Sequence, residues 1–393
     1  MNETIKKKYY SSSKEEFESY LKKLKEEPMT SLYFENRKTS YFFVYDEQAV
    51  KRILQLHKAQ MHLDGLYASL SVSKQKFLSE YLLINEIKTT NATENIHSTR
   101  RDIFGLLKNV NSIKDKKARS ILQAYKMFEQ DPDISDLSSV RDLYDVMMKD
   151  SYESSSDKPD GKLFRKQSVE VNDGINTIHH GFYPESEIID AMNEFLNVYK
   201  NKDTDIYLRI IISHFLFETI HPFYDGNGRL GRLLMSLKLH KEEKTIGAFI
   251  LSDAINKNKT AYYNALQDGH DIHEFGNLNG YFDSMAMIFV KEYEEINQLI
   301  EEMEKTYRKQ IGELQSSKIS KAERKIMEYL IEASCFSHFG VCSRQIEEEC
   351  SLSKRTVITV LGKLKEQGAL QQTKIGAFTY HKLISIKNES SAI

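Results

Sequence analysis

The 393-residue chain contains few residues that break regular structure, with only 17 glycines and 5 prolines. A β-sandwich or β-barrel needs frequent turns, so this scarcity excludes an all-β protein and predicts a mainly α-helical one. Apolar residues make up 40% of the sequence and aromatic residues 11%, which is enough for a sizeable core and excludes global disorder. The length predicts two or three domains.

Cysteine is equally scarce. The three cysteines, Cys335, Cys342 and Cys350, are too few for a disulfide scaffold and suit a reducing compartment. Their spacing matches no common zinc site. Together with His338 they would make four ligands, but packing as small apolar side chains is the interpretation we favour.

Long apolar runs are absent as well. The N-terminal segment lacks the apolar stretch of a signal peptide, and no run approaches the ~20 residues of a membrane helix. We therefore expect a cytoplasmic protein with no membrane partner. The formal net charge of −2 excludes a chain that is basic throughout, although a local basic patch is compatible with it.

Apolar periodicity predicts helices along most of the chain. The predicted helical ranges are 47–70, 72–90, 102–130, 136–150, 184–201, 205–220, 228–241, 258–267 and 281–316. The charged residues 1–30 predict a frayed helix, and two short hairpins are predicted to turn at 36–38 and 172–174. The Glu- and Lys-rich helix at 281–316 suits either a spacer or self-association into a homodimer, and the sequence does not separate the two.

The C-terminal residues 321–387 have a different character. A helix, a second helix at 343–350, a tight turn, a third helix at 354–368 and two β-like segments follow one another, which is the order of a winged helix-turn-helix. This span carries 11 basic and 7 acidic residues, so its net charge of +4 makes the rest of the chain net negative. The candidates for DNA contact are Lys354, Arg355, Lys363 and Lys365.

The stretch from His221 to Arg232, which reads His-Pro-Phe-Tyr-Asp-Gly-Asn-Gly-Arg-Leu-Gly-Arg, contains a proton acceptor and a metal-ligating carboxylate. A helix is predicted to end before Pro222, because the residue that precedes proline is disfavoured in the helical region. His221 then stands at the entrance of a loop and is able to accept a proton near neutral pH. Asp225 offers a hard oxygen ligand for Mg²⁺.

The same stretch contains an anion-binding loop. Gly226 and Gly228 let the backbone approach a ligand, and a helix that begins near Gly228 offers its free N–H groups to an anion. Arg229 and Arg232 lie three residues apart and share one face of that helix. A base, a Mg²⁺ ligand, a helix N-terminus and two arginines together suit phosphoryl or nucleotidyl transfer to a hydroxyl group.

These residues match the core motif of the Fic family, His-Pro-Phe-x-Asp-Gly-Asn-Gly-Arg-x-x-Arg, at every fixed position, and roughly residues 50–290 resemble the Fic domain. The resemblance implies an all-helical fold with a small β-hairpin flap. It also implies transfer of AMP from ATP to a Ser, Thr or Tyr hydroxyl of a target protein, with release of pyrophosphate. Gly228 favours this adenylylation, since the kinase-like Doc branch has Lys at that position.

Carried over by motif position, His221 would deprotonate the target hydroxyl, and Asp225 would hold a Mg²⁺ ion that bridges the α- and β-phosphates. The implied phosphate-binding residues are Gly226, Asn227, Gly228, Arg229 and Arg232. The implied flap residues, which would align the target segment by strand addition, are Thr177, Ile178, His179 and His180. Tyr263 resembles the family's adenine-side aromatic residue, with core packing as an equally good interpretation. We interpret His214 as a core histidine.

An inhibitory motif precedes the core motif. Residues Thr90 to Asn95, Thr-Asn-Ala-Thr-Glu-Asn, resemble [Ser/Thr]-x-x-x-Glu-[Gly/Asn] of the Fic class with an N-terminal inhibitory helix. Two-point pairing of the Glu94 carboxylate with Arg232 would occupy the partner of the γ-phosphate and repel that phosphate, so that ATP binds in a non-productive pose. In some relatives the same glutamate orients water for AMP removal, so de-AMPylation is an alternative.

Two further alternatives stand beside a protein adenylyltransferase. One is a DNA-binding transcriptional regulator that uses the winged helix, with the Fic domain as a sensor. The other is transfer of a different phosphate-containing group, such as UMP or phosphocholine. We predict an N-terminal region at 1–60 with a hairpin and a helix, a Fic catalytic domain at 61–295, a linker helix at 296–320 and a winged helix at 321–393.

Overall fold

The computed structural model of the protein describes residues 5–24, 29–34, 39–109, 115–149, 158–172 and 177–384. The turn predicted at 36–38 and most of the turn predicted at 172–174 lie outside these residues. The helices are α1 Ile5–Ser11, α2 Lys14–Leu24, α3 Glu47–Ala68, α4 Val72–Thr93, α5 Arg100–Leu107, α6 Lys116–Lys126, α7 Leu137–Met148, α8 Glu185–Lys200, α9 Ile206–Ile220, α10 Asn227–Glu243, α11 Leu251–Lys257, α12 Lys259–Gly269, α13 Asn279–Gln315, α14 Lys321–Phe336, α15 Ser343–Cys350 and α16 Lys354–Glu366. The strands are β1 Met29–Phe34, β2 Thr39–Val44, β3 Glu170–Asn172, β4 Thr177–His180, β5 Val341–Cys342, β6 Leu370–Ile375 and β7 Phe378–Leu383.

The predicted fold class, mainly α with a small hairpin and a C-terminal winged helix, is confirmed. Helix α9 forms the centre of the fold, and each of its residues is buried. A helix that is apolar on all sides needs neighbours on all sides, and α8, α10 and α13 pack against it. Among the described residues, no helix has the length and apolar content needed to cross a membrane.

Two predicted helices are wrong in their extent, and in both cases capping residues explain the difference. The single helix predicted at 102–130 is divided into α5 and α6. Asn109 adopts the left-handed conformation that ends a helix, and Asp115 accepts a hydrogen bond from Ala118 N at the start of the next one. The frayed helix predicted at 1–30 is two helices, since Ser13 and Glu16 form reciprocal capping bonds that start α2.

The C-terminal domain has the topology of a winged helix. Strands β5, β7 and β6 form an antiparallel sheet in that order, and Leu370 pairs with Leu383 in the register of β6 and β7. Strand β5 contains only two residues and was not predicted. The predicted boundary at 295/296 lies within α13, which is one continuous helix of 37 residues. The domain boundaries therefore stay predictions.

A buried carboxylate fixes α4 in the core. Glu86 is fully buried, and its Oε1 accepts hydrogen bonds from the Tyr125 hydroxyl (2.9 Å) and the Ser236 hydroxyl (3.3 Å). Its Oε2 accepts a hydrogen bond from Ser252 N at 2.9 Å. Glu86 thus connects α4 to α6, α10 and α11. Because burial disfavours the charged form, the pKa of Glu86 rises to about 7.

We predict that Glu86 makes stability fall as pH rises. The folded protein holds the Glu86 proton up to about pH 7, whereas the unfolded chain releases it near pH 4.5. The free energy of unfolding from this group therefore decreases by roughly 3 kcal/mol between about pH 4.5 and pH 8. Denaturant titrations measure the free energy of unfolding of the wild type and of Glu86→Gln at each pH. The wild-type value minus the Glu86→Gln value should be smaller at pH 8 than at pH 5. The exposed Glu328→Gln change serves as the control, and parallel wild-type and Glu86→Gln profiles would contradict the prediction.

Candidate active site

The connection between α9 and α10 begins at His221. This residue caps α9 in the left-handed conformation, with φ +53°, and its backbone N–H donates a hydrogen bond to Phe217 O at 2.9 Å. A non-glycine residue is rarely found in this conformation, and such strain clusters at functional sites. The imidazole is half-buried at the mouth of the loop.

A buried arginine holds the backbone at His221. Arg165 is fully buried, and its Nε donates a hydrogen bond to His221 O at 2.9 Å. Its backbone N–H donates to Pro222 O at 3.2 Å. Charge-assisted bonds to a carbonyl oxygen are strong in a buried position. Arg165 therefore fixes the backbone at His221 and Pro222, where the chain leaves α9.

Two residues of the motif close the loop on itself. Asn227 is buried; its Oδ1 accepts a hydrogen bond from Phe223 N (2.9 Å) and its Nδ2 donates one to Phe223 O (2.8 Å). The ring of Phe223 stacks on Tyr144, with centroids 3.6 Å apart. Because its side chain is engaged in this way, a phosphate contact by Asn227 would come from its backbone N–H. Gly226 is the N-cap of α10 with φ +82°, a conformation that favours glycine.

The N-terminus of α10 meets two charged side chains. Arg229 is 1% exposed, and its Nη2 donates a hydrogen bond to Asp225 Oδ2 at 3.0 Å. Within the described part of the chain, Arg229 Nε has no hydrogen-bond partner. A buried guanidinium nitrogen without a partner calls for a bound group, and the adjacent helix N-terminus makes an anion the suitable one.

Arg232 is held by α4. Its Nε donates a hydrogen bond to Thr90 Oγ1 (3.0 Å), and its Nη2 donates to Thr90 O (3.1 Å) and to Glu94 Oε1 (2.8 Å). The predicted pairing of Glu94 with Arg232 is present, but through a single hydrogen bond. The expected two-point geometry is wrong because Thr90 occupies the Nε side of the guanidinium.

Local backbone chemistry explains the residues around Glu94. Glu94 is the C-cap of α4, and Asn95 follows in the left-handed conformation with φ +57°. Gly and Asn are the residues that tolerate this position, which accounts for the motif's choice between them. A Cβ atom at Gly228 would clash with Glu94 Oε1, so a larger residue there would displace the carboxylate from its present place.

The charges around Arg232 favour an ionised Glu94. Burial opposes the charged form, but Arg232, Arg229 and His221 together keep the pKa of Glu94 below its usual value. Behind Arg232, burial raises the pKa of Glu218 to about 8 and lowers the pKa of His214 to about 3. His214 is fully buried in the core, with Nε2 3.0 Å from the Tyr262 hydroxyl, so its place agrees with its interpretation as a core histidine.

The flap residues Thr177, Ile178, His179 and His180 form β4, which pairs antiparallel with β3. The end of the flap is joined to the site, because Phe182 N donates a hydrogen bond to Ile220 O at 3.0 Å, beside His221. His180 is exposed. The backbone that follows the predicted flap therefore runs next to His221.

Tyr263 lies near the end of α4. Lys259 Nζ donates a hydrogen bond to Thr93 O at 2.8 Å and lies 5.9 Å from the centroid of the Tyr263 ring. The ring is half-buried and contacts Tyr262. Thr93 directly precedes Glu94 in the sequence. An adenine contact by Tyr263 stays a prediction.

The residues present fit a Mg²⁺ ion that is shared with a nucleotide. The Asp225 side chain is 56% exposed. One or two protein carboxylates together with substrate phosphates are the usual ligands of Mg²⁺. Among the described residues, no group of three or more His, Cys, Asp or Glu side chains could form a metal site by itself. Asp225 is thus suited to hold a Mg²⁺ ion whose remaining ligands come from the phosphates of a nucleotide.

Three of the four candidate DNA-contact residues of the winged helix agree better with DNA contact than the fourth. Lys354, Arg355 and Lys365 are exposed on α16, together with the apolar Ile358. Lys363 instead lies 3.2 Å from Glu323 of α14.

Some residues of the site were not predicted. Arg165 belongs to a quoted segment, Gly-Lys-Leu-Phe-Arg, but no spacing rule links it to a carbonyl oxygen 56 positions away. Glu218 lies one turn before His221 on an apolar helix. A charged residue in such a helix indicates a buried side chain with a specific function, and this signal could have identified Glu218.

Comparisons with known proteins match two parts of the chain to known families. The family model described as Fic/DOC family matches residues 134–239, and the model described as Penicillinase repressor matches residues 319–390. The chain is 30% identical over 139 residues to "Probable protein adenylyltransferase aq_aa38" of Aquifex aeolicus (strain VF5), which covers 30% of this chain and 42% of that protein. The chain thus spans about two fifths of the length of this curated relative.

One solved structure shares the fold over a larger part of the chain. A Fic family protein from Desulfovibrio desulfuricans G20 has a TM-score of 0.56 at 17% identity, with 88% of this chain and 98% of that chain covered. Fic-1 (residues 134–508) from C. elegans has a TM-score of 0.46 at 15% identity, with 66% and 73% covered. From the matched core motif, the family models and the shared fold, we conclude that the chain contains a Fic domain and a C-terminal winged-helix domain.

Proposed function

We propose that the protein transfers AMP from ATP to a Ser, Thr or Tyr hydroxyl of a target protein and of itself, and that Glu94 restrains this reaction. The observation that carries the proposal is the loop from His221 to Arg232. It places a proton acceptor, an exposed carboxylate and a helix N-terminus with two buried arginines within one short segment. The named Aquifex aeolicus relative supports AMP as the transferred group.

In this reaction, the hydroxyl oxygen of the target attacks the α-phosphorus of ATP. A ring nitrogen of His221 takes the hydroxyl proton while the bond from the α-phosphorus to the α–β bridging oxygen breaks and pyrophosphate leaves. Arg165 holds the His221 backbone, so the imidazole is oriented before substrate arrives. Strand addition of the target segment to the flap would bring the hydroxyl to His221.

The phosphates are held by the start of α10. The N–H groups at Gly226, Asn227 and Gly228 and the Arg229 guanidinium neutralise charge on the leaving pyrophosphate. Asp225 would hold Mg²⁺, which neutralises charge on the α- and β-phosphates when it is bound. Arg229 would then exchange its bond with Asp225 for a phosphate oxygen.

The restraint follows from the pairing of Arg232. Its guanidinium is the cation suited to the γ-phosphate, and Glu94 occupies it. An ionised Glu94 also repels a phosphate nearby. ATP is expected to bind with its γ-phosphate displaced, which moves the α-phosphorus out of line with the target hydroxyl.

We predict that Glu94→Gly raises self-labelling and target labelling from labelled ATP by about tenfold or more, which is the effect of freeing one charge-assisted contact. Glu94→Gln keeps an oxygen that accepts from Arg232 but removes the negative charge, so its rate should lie between those of the wild type and Glu94→Gly. Adding His221→Ala to Glu94→Gly should abolish labelling.

The readout is the labelled protein, followed by mass spectrometry of the modified peptides in a lysate. Equal labelling by the wild type and Glu94→Gly would contradict the restraint. Persistent labelling in the His221→Ala double variant would contradict the role of His221. Released AMP from a modified target would instead favour the de-AMPylation alternative.

A second candidate function is binding of double-stranded DNA by the winged helix. The observation that favours it is the exposed face of α16, where Lys354, Arg355 and Lys365 stand beside Ile358. In a winged helix this helix enters the major groove, and cations on its outer face contact phosphates. The match to the penicillinase repressor model supports the same candidate.

We predict that the full chain binds a labelled DNA duplex in fluorescence anisotropy at low salt. Replacing Lys354 and Arg355 by Ala should weaken binding and make the slope of log K against log salt less negative by about one for each cation removed. Replacing the exposed Lys76 and Lys309 by Ala removes the same charge elsewhere and serves as the control. No binding at low salt, or an equal loss in the control, would contradict DNA binding.

A further inference from the structure

One loop of the winged helix contacts both helices that flank Glu94. This bridging loop, residues 337–340, joins α14 to β5. The His338 ring stacks on Tyr81 of α4, with centroids 3.9 Å apart and planes at 22°. The Phe339 ring packs against Phe104 of α5 at 4.9 Å. Helix α4 ends directly before Glu94, and α5 begins six residues after it.

Further contacts attach the first half of α4 to the C-terminal part of the chain. Lys74 Nζ lies 2.5 Å from Glu304 and 3.5 Å from the centroid of the Tyr307 ring, both near the end of α13. The Phe77 ring lies 5.8 Å from Tyr329 of α14. Lys74 is buried despite its charge, so this surface is a packed interface.

Strands β6 and β7 of the winged helix also contact α5. Arg101 Nη2 donates a hydrogen bond to Lys374 O of β6 at 2.5 Å, and Tyr380 of β7 packs edge-on against Phe104 at 4.8 Å. The recognition helix α16 keeps its own outer face exposed. The winged helix therefore packs on α4 and α5 with its sheet and bridging loop.

A rigid element connects this interface to the site. Glu94 lies thirteen positions after Tyr81 along one continuous helix, about 20 Å at the rise of an α-helix. Because Glu94 caps the same helix, a displacement of α4 at Tyr81 moves its carboxylate relative to Arg232. A hydrogen bond of 2.8 Å is lost after a shift of about 1 Å.

We propose that His338 and Phe339 are positioning residues for Glu94, so that the winged helix is part of the restraint on AMP transfer. This inference rests on the proposed function. Packing of the bridging loop on Tyr81 and Phe104 holds the segment between α4 and α5 where Glu94 meets Arg232. Loss of that packing loosens the segment and frees Arg232 for the γ-phosphate.

The first test uses the full chain with His338→Ala and Phe339→Ala together. AMP transfer from labelled ATP should rise by about fivefold or more in the chain with Glu94. In the Glu94→Gly background the same double change should add nothing, because the restraint is already absent. Phe378→Ala, which removes an exposed aromatic ring from the same sheet, is the matched control and should leave the rate unchanged.

A second readout does not depend on catalysis. The backbone N–H groups of Asn95 and Ile96 donate hydrogen bonds to Ala92 O and Asn91 O, which close the end of α4. Hydrogen exchange at these two amides should be about fivefold faster in the double variant, while α9 and α16 keep their protection, which shows that both domains remain folded. Arg101→Ala changes an exposed residue and removes one hydrogen bond between the domains. It should raise the AMP-transfer rate and the exchange rate in the same direction as the double variant, but by a smaller factor.

The outcomes separate the two proposals. Faster transfer in Glu94→Gly together with an unchanged double variant overturns the inference and leaves the proposed function standing. An equal rise in both backgrounds also overturns it, since the loop would then act elsewhere. No transfer by any variant overturns the proposed function, and the exchange rates at Asn95 and Ile96 still decide whether the loop positions the end of α4.

Discussion

The buried guanidinium of Arg232 is the constraint on which the site depends. A charge with 1% of its surface exposed needs a charged partner, because an unpaired ion in the interior is very costly. Glu94 and Thr90 supply the partners from α4. Only an anion is able to take the place of Glu94, and the γ-phosphate of ATP is such an anion. The same pairing thus stabilises the fold and, in our proposal, restrains the reaction.

Helix α4, which ends at Glu94, is fixed at several points. Glu86 ties its middle to the core, Thr90 and Glu94 hold Arg232 at its end, and the winged helix packs on its first half. A helix with attachments at both ends transmits a change at one end to the other. The winged helix and the Fic domain are therefore joined by a helix that ends at Glu94, the residue that restrains AMP transfer in our proposal.

The sequence predicts the local features of the molecule well. It does not predict contacts between residues that are far apart in the chain. Periodicity predicts α9, α10 and α13, and motif spacing brings together His221, Asp225 and the two arginines. The break between α5 and α6 has local sequence signals, Asn109 and Asp115, although apolar periodicity alone runs through it. No pattern predicts that Arg165 bonds to His221 O, that Glu86 meets Tyr125, or that His338 stacks on Tyr81, because only the packed fold brings these residues together.

The most direct test of the central claim compares how tightly ATP and ADP bind by isothermal titration, since the two differ in the γ-phosphate that competes with Glu94 for Arg232. In the wild type we expect similar affinities for both nucleotides. In Glu94→Gly we expect ATP to bind about tenfold more tightly than ADP, the gain from one charge-assisted contact. An ATP-to-ADP affinity ratio that is the same in both proteins would contradict the competition between Glu94 and the γ-phosphate.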